Sequence, residues 1–365
     1  MLLRPCEPST YTESQVQYIR MQEQNASTGR TRRPLSGLPA WIITDGSAGM
    51  DVQALGLAQA LGLDVHIKHV APSAPWRHAA PWGPADPKDR IGHPNSALFA
   101  PPWPAVCIAT GRASAPYIRA IRRKAGSQTY CIVLQDSKAG TGIADLIWVP
   151  EHDRLRGANV ITTPTSPHGY SADLLSRLRA ACPPEIAALP SPRVAVILGG
   201  KNKIYRFTDA DDDRLQTALA SLGALGASFL ITPSRRSHQR LIRTVDEATA
   251  NHPRILWDGH GTNPYPNFLA HADMFVVTAD SVNMTGEACA TGKPVYVFEP
   301  TGGSAKFSRF HEALRRTGAT RLLPDRVQRF DKWSYEPLDS AGTIAAEVER
   351  RWLNRPGLLN RDSSS

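Results

Sequence analysis

The chain has 365 residues, room for two domains at the usual ~150 residues each. It is 41% apolar and 21% charged, a globular composition, and no run approaches the ~18 apolar residues of a membrane span. The net charge of +9 and a pI near 9.5 favour anionic partners: a phosphorylated substrate or an anionic membrane surface. The basic residues are dispersed, with no zinc-finger, RRM or basic-zipper pattern, so nucleic acid is not an expected partner. The five cysteines (6, 107, 131, 182 and 289) form no CxxC pair, and three of them lie in apolar runs. They read as buried thiols in a reducing compartment, with no metal site.

Residues 1–37 are polar, without a signal-peptide apolar core, and mix Arg4, Arg20, Arg30, Arg32 and Arg33 with Glu7, Glu13 and Glu23. They read as a disordered polar tail. From residue 38 short strands and helices alternate. Strands are predicted at Trp41–Thr44, Val106–Thr110, Thr129–Leu134, Leu146–Val149 and Val160–Thr162, and helices at 50–62, 114–125 and 170–181. Between the early strands, residues 71–104 hold nine prolines and three tryptophans. That density forbids a central strand. The stretch is either a variable surface insertion or a Trp/Arg surface that meets an acceptor or a membrane.

The four prolines of "ACPPEIAALPSPR", residues 181–193, mark a linker. The alternation then restarts, with strands predicted at Val194–Leu198, Ser228–Thr232, Arg254–Trp257, Met274–Thr278 and Val295–Phe298. Helices are predicted at 211–222, 237–250, 264–271, 282–291 and 305–317. This grammar predicts an α/β protein with two Rossmann-like domains facing across a cleft, one over 38–185 and one over 186–335. Over 336–365 a final helix with Ile344, Val348 and Trp352 at helical spacing, together with a tail, could dock back across the domains.

In open α/β sheets ligands bind at the carboxyl ends of the strands, so residues just after each apolar run carry the information. Val194–Leu198 is followed by Gly199, Gly200 and Lys201: either an ordinary turn with a solvated lysine, or backbone amides and a cation set for phosphate. Ser228–Thr232 leads to Arg235 and Arg236 ahead of a helix, where cations gain nothing from the helix dipole unless an anion lies there too. Met274–Thr278 leads to Ser281, a good N-cap, with Val282 and Asn283 in the first turn and Glu287 one turn on. This turn suits the phosphates of a nucleotide, with Glu287 accepting from ribose hydroxyls. Asn263 and Tyr265 read as a sugar-side or base-side wall, and Lys306 as a further contact. In the first half Asp45, His152 and His168 are candidate general bases, with Asp136 and Asp153 beside them. The acids of "DADDDR", residues 209–214, read as complements of a helix dipole rather than as metal ligands.

Five stretches in order, "ITDGSAGMDVQALGLAQAL", "VCIATGRASAP", "VILGGKNKIY", "LITPSRRS" and "NPYPNFLAHADMFVVTADSVNMTGEACATGKPVYVF", resemble the elongated-mitochondria family of plant mitochondrial-fission factors and their bacterial homologues. The likeness covers residues 40–325. It departs at Asp51-Val52-Gln53, where relatives commonly carry Asn-Gln, and in the 71–104 stretch. The resemblance implies a bacterial-type member with a GT-B type fold, 38–185 forming the acceptor-side domain and 186–335 the nucleotide-sugar-binding domain, acting as a metal-independent glycosyltransferase without a cofactor. The donor would be a nucleotide-diphosphate sugar, the acceptor a glycan or lipid-linked molecule of the cell envelope, and the place the cytoplasm or the inner face of a membrane. The alternative is a non-catalytic membrane-surface adaptor. Some bacterial members are labelled epimerases. A short-chain epimerase needs Tyr-x-x-x-Lys, and none of the nine tyrosines has Lys four residues on.

Overall fold

A computed structural model describes residues 33–355. The expected tail falls outside these residues except for 33–37. There the expectation fails, because Leu35 is fully buried in the first core.

The chain divides into two units. The first contains β1 (Pro39–Thr44), α1 (Ala48–Leu61), β2 (Asp64–His69), β3 (Val106–Thr110), α2 (Ala115–Ala125), β4 (Tyr130–Leu134), β5 (Leu146–Pro150) and β6 (Val160–Thr163). The second contains α3 (Ala172–Ala180), β7 (Arg193–Leu198), α4 (Asp209–Ala224), β8 (Ser228–Pro233), α5 (Gln239–Thr249), β9 (Arg254–Leu256) and α6 (Tyr265–His271). It continues with β10 (Met274–Thr278), α7 (Val282–Cys289), β11 (Val295–Phe298), α8 (Ala305–Arg316) and β12 (Thr320–Leu322). The last helix, α9 (Ser340–Leu353), returns to the first unit.

Each unit holds one six-stranded sheet, and every strand pair is parallel. The first sheet has the order β2-β1-β3-β4-β5-β6 and the second β12-β11-β10-β7-β8-β9. Parallel strands covered on both faces need apolar side chains both ways, which is why "VCIAT", "YCIVL" and "LIWVP" are continuous runs, buried throughout. The pleat sorts them. Ile42, Ile108, Ile132 and Trp148 face α1 and α9, while Ile43, Cys107, Val133 and Val149 face α2. Ile344, Val348 and Trp352 of α9 thus join the first core, and Trp352 meets Tyr130 edge-on at 6.1 Å. In the second unit Val194, Val196, Phe229, Ile231 and Val276 pack against Leu215, Leu219, Leu241 and Val245 of α4 and α5.

Three features depart from the sequence reading. Strands β2 and β12 were not foreseen. Both are sheet edges, and "DVHIKH" and "TRL" carry too few apolar residues to signal a strand. The chain passes between units within residues 163–170, not in the Pro-rich 181–193 stretch. That stretch instead carries a helical turn, Pro184–Ala187, with Ile186 buried in the second unit. Finally, 71–104 is anchored. Phe99 is fully buried against Trp41 at 5.9 Å and Tyr117 at 5.5 Å, and Tyr117 donates to Asp89 at 2.6 Å. Only part of its aromatic content faces solvent, chiefly Trp82 at 66% exposure.

Candidate functional site

Strand order locates the site in each unit. In the second sheet the chain winds from β7 outward through β8 and β9, then restarts on the other side with β10, β11 and β12. This is the 3-2-1-4-5-6 order of dinucleotide-binding sheets, and its switch point lies between β7 and β10. The residues just beyond are Gly199-Gly200 and Ala279-Asp280-Ser281.

The two turns are tied together by Asp280, a residue the sequence reading passed over. The Gly200 amide donates to its Oδ2 at 2.9 Å, Thr278 Oγ1 donates to its Oδ1 at 2.7 Å, and the Gly199 amide donates to Thr278 Oγ1 at 2.7 Å. Arg236 Nη2 pairs with Asp280 Oδ2 at 3.0 Å. Burial pushes the Asp280 carboxyl upward, against the stabilisation given by Gly200, Thr278 and Arg236. The glycines are required by this closeness: a Cβ on Gly199 would stand 2.2 Å from Asp280, and one on Gly200 1.9 Å from the Arg236 carbonyl oxygen. The expectation that these two amides meet a phosphate is therefore corrected, because both are committed within the fold. Ser234 and Ser237 complete the knot, each donating a hydroxyl to the Gly199 carbonyl. Arg235 and Lys201 stand exposed on the same rim.

At the next turn Ser281 caps α7, its Oγ accepting from the Met284 amide at 3.4 Å. Val282 and Asn283 are half-buried in the first turn. Glu287 is no solvated helix residue: it is 5% exposed and accepts from the Tyr265 hydroxyl at 2.6 Å. Burial pushes its carboxyl up to about 7, with the Tyr265 bond opposing, and burial together with Glu287 raises the Tyr265 hydroxyl. Tyr265 lies edge-on to Tyr170 at 5.8 Å. Asn263 holds the start of α6, its Oδ1 accepting from the Tyr265 amide at 3.0 Å. Two residues chosen separately from the sequence thus form one hydrogen-bonded pair, and the third accepts from the Tyr265 backbone.

The Gly-rich turn after β11 borders a cavity of about 400 Å³ lined by Tyr205, Arg214, Glu299, Thr301, Gly303 and Ser308. Lys306 is exposed in the first turn of α8 and is not among the lining residues. The neighbouring "DADDDR" acids are engaged. Asp211 forms a capping box with Thr208 and accepts from the Thr301 amide at 3.0 Å, and Asp212 pairs with Arg240 at 2.6 Å.

In the first sheet the switch point falls between β1 and β3. Asp45 is exposed there and accepts from the Ser47 amide at 3.1 Å, and its Oδ2 lies 3.6 Å from where a Gly111 Cβ would stand. Beside it is Asp51, which was not among the predicted candidates. It is 1% exposed and accepts from Thr44 Oγ1 at 2.5 Å, while its Oδ2 is buried without a hydrogen-bond partner. Burial pushes this carboxyl up, opposed by Thr44 and His69. A signal existed: Asp51, Leu55 and Ala58 fall at i, i+4 and i+7, so the carboxylate rides the apolar face of α1. His152 and His168 are buried beyond β5 and β6, away from the switch point in strand order. The His168 backbone packs on Gly56, where a Cβ would approach within 2.5 Å. Asp136 is drawn to Lys138 within its own loop.

Two Rossmann-like units in one chain, each with its polar residues gathered at a switch point, define a protein of GT-B type. A solved structure, the UDP-GlcNAc 2-epimerase of Methanocaldococcus jannaschii, superposes with a TM-score of 0.50 at 10% identity, over 86% of this chain and 99% of that one. At that identity the likeness shows the fold alone. The chain belongs to the mitochondrial fission ELM1 family, whose model matches residues 48–352. The mitochondrial fission protein ELM1 of Arabidopsis thaliana is 29% identical over 276 residues, 69% of this chain and 65% of the plant protein. An uncharacterised protein of Rickettsia prowazekii is 31% identical over 161 residues, 42% of this chain and 45% of that protein. The chain therefore matches less than two thirds of the length of either relative. The missing Tyr-x-x-x-Lys excludes only epimerases of the short-chain type, and says nothing of epimerases built on two such units. Among the described residues no helix is long and apolar enough to cross a membrane, and no cluster of His, Cys, Asp or Glu could hold a metal.

Proposed function

We propose that this chain binds a nucleotide-diphosphate sugar in its second unit and transfers the sugar to an envelope or lipid-linked acceptor. The observation that carries this reading is the switch point between β7 and β10, where Arg235, Arg236 and Lys201 share one rim with the first turn of α7. The diphosphate would be held by the guanidinium groups and by the α7 amides of Val282 and Asn283 rather than by Gly199 and Gly200. These cationic and dipolar groups would stabilise the leaving diphosphate. Ribose hydroxyls would donate to Glu287, with Tyr265 fixing the carboxylate and Asn263 fixing Tyr265. Asp45, exposed at the other unit's switch point, would accept the acceptor's proton. That the solved structure of similar fold is named for a UDP-sugar enzyme supports the donor class.

Thermal denaturation with UDP, GDP and their sugars tests the reading. A donor at 100 times its Kd adds ~2.7 kcal/mol of stability, and Arg235→Ala combined with Glu287→Gln is expected to erase the shift. No stabilisation by any nucleotide sugar, or an unchanged shift in the double variant, overturns it. One observation favours a non-catalytic adaptor instead: Asp280 already takes up the Gly200 amide and the Arg236 charge, and Thr278 takes up the Gly199 amide. In that case the protein binds vesicles and shows no nucleotide shift.

A further inference from the structure

A second polar hollow lies at the opposite edge of the first sheet. Helix α2 runs from the carboxyl end of β3 back to the start of β4. Its last turn, the Gly126–Gln128 turn before β4 and the Thr141–Ile143 turn before β5 therefore gather at the amino-terminal edge. There a cavity of about 590 Å³ is lined by Arg119, Arg122, Arg123 and Arg355, with Asp145 as the sole carboxylate among the described residues of the lining. Cations in the last turn of a helix are ordinary, because they complement its carbonyls. That accounts for Arg122 and Arg123. It does not account for Arg119, one turn earlier, or for Arg355, which arrives from beyond α9.

Three of the four guanidinium groups, those of Arg119, Arg122 and Arg355, are held by the protein rather than left to swing. Arg122 donates to the Gly142 carbonyl at 2.8 Å and pairs with Asp145 at 3.2 Å. The other Asp145 oxygen accepts from the Cys131 amide at 2.7 Å, so this carboxylate is already shared. Arg119 donates to the Trp82 carbonyl at 2.7 Å and to that of Pro81. Arg355 donates to the Ser127 carbonyl at 2.6 Å and lies over the rings of Tyr130, at 5.3 Å, and Trp352, at 5.0 Å. Arg123 is exposed. A Cβ on Gly126 or Gly142 would meet nothing within 4 Å, so the mouth between the two turns is open. Four like charges around one hollow repel each other, and among the described lining residues a single shared carboxylate leaves most of that charge unbalanced. An arginine fork fixed by its own carbonyl bonds loses little freedom on meeting a phosphate.

We propose that these four arginines form a second anion site, separate from the sheet's carboxyl edge, for a ligand bearing clustered phosphate groups: a phosphorylated lipid headgroup or a soluble polyphosphate. The site does not rest on the donor-sugar reading. The test uses the full chain with two probes. Sodium tripolyphosphate is titrated by calorimetry, and phosphatidylcholine vesicles, with and without phosphatidic acid, are sedimented with the protein. Wild type binds at least one probe, and its affinity falls with added salt. Arg123→Glu, which disturbs no loop contact described above, weakens binding roughly tenfold, and adding Arg355→Ala weakens it roughly tenfold again. Tripolyphosphate binding alone identifies a soluble ligand, and selective binding of the phosphatidic acid vesicles identifies a headgroup. UDP stabilisation persisting in Arg123→Glu keeps the two sites distinguishable. Binding of neither probe by wild type, or equal affinity in wild type and the double variant, overturns the proposal.

Discussion

The two switch points obey one topological rule and treat their buried acid differently. In the second unit Asp280 is closed in by partners: two hydrogen-bond donors and a guanidinium. In the first unit Asp51 accepts from Thr44, and among the described residues its second oxygen has no hydrogen-bond partner. Both carboxyls are raised by burial. The difference is what the acid does. Asp280 ties β7, β8 and β10 into one rim, so it is structural cement at the place where a ligand is expected. Asp51 ties α1 to the end of β1 and retains unused acceptor capacity. A shared strand grammar thus fixes where polar residues gather, while the neighbours of each acid decide how much of its acceptor capacity is used.

The largest effect should come from breaking the brace. Asp280→Ala leaves the Gly200 amide without its acceptor and Arg236 without its partner, and is expected to cost about 3 kcal/mol in urea denaturation. Gly200→Ala drives a Cβ into the Arg236 carbonyl and should cost at least as much, about 3 kcal/mol. If both variants unfold at the wild-type urea concentration, the knot is not what holds the rim.

A second effect, nearly as large, is set by pH at Glu287. Its folded-state carboxyl titrates at about 7 against an ordinary 4.5. The native state therefore holds the proton more tightly than the unfolded one. This contribution to stability is full below 4.5 and is lost as pH rises through about 7, to a limit of about 3 kcal/mol. Urea titrations across that window should show wild type weakening with rising pH and Glu287→Gln holding level. Equal slopes for the two proteins would refute a buried, protonated Glu287. A donor whose ribose binds the ionised carboxylate should bind more tightly above pH ~7 than below it.

The smallest effect sharpens the comparison from the other side. Asp51→Asn keeps an acceptor for Thr44 and removes a carboxylate that burial disfavours, so stability at neutral pH should stay within about 1 kcal/mol of wild type. The folded carboxyl lies above the ordinary 3.8, so the wild-type contribution is present below that pH and is lost as pH rises through the raised value. The Asn variant should lack this slope. A loss matching that of Asp280→Ala would show that Asp51, too, is a brace.

Much of this molecule could be read in the sequence. Continuous apolar runs such as "VCIAT" and "VAVIL", of strand length and bounded by turn residues, read as buried strands, and the Gly, Ser and Asp after them mark the strand ends. The same local grammar singled out Arg235, Ser281, Glu287 and Tyr265 as candidates for the proposed site. Edge strands such as "DVHIKH" escaped because one open side relaxes the demand for apolar residues. What only the tertiary structure decided was partnership: that Glu287 bonds Tyr265, that Asp280 and Thr278 claim the amides of Gly200 and Gly199, that α9 returns to the first core, and that Arg355 joins Arg119, Arg122 and Arg123. Hydrophobic periodicity is written along the chain and records which faces leave water. Hydrogen bonds and charge pairs form between residues scores of positions apart, and nothing in the local sequence records the partner until the sheet order has placed both at the same rim.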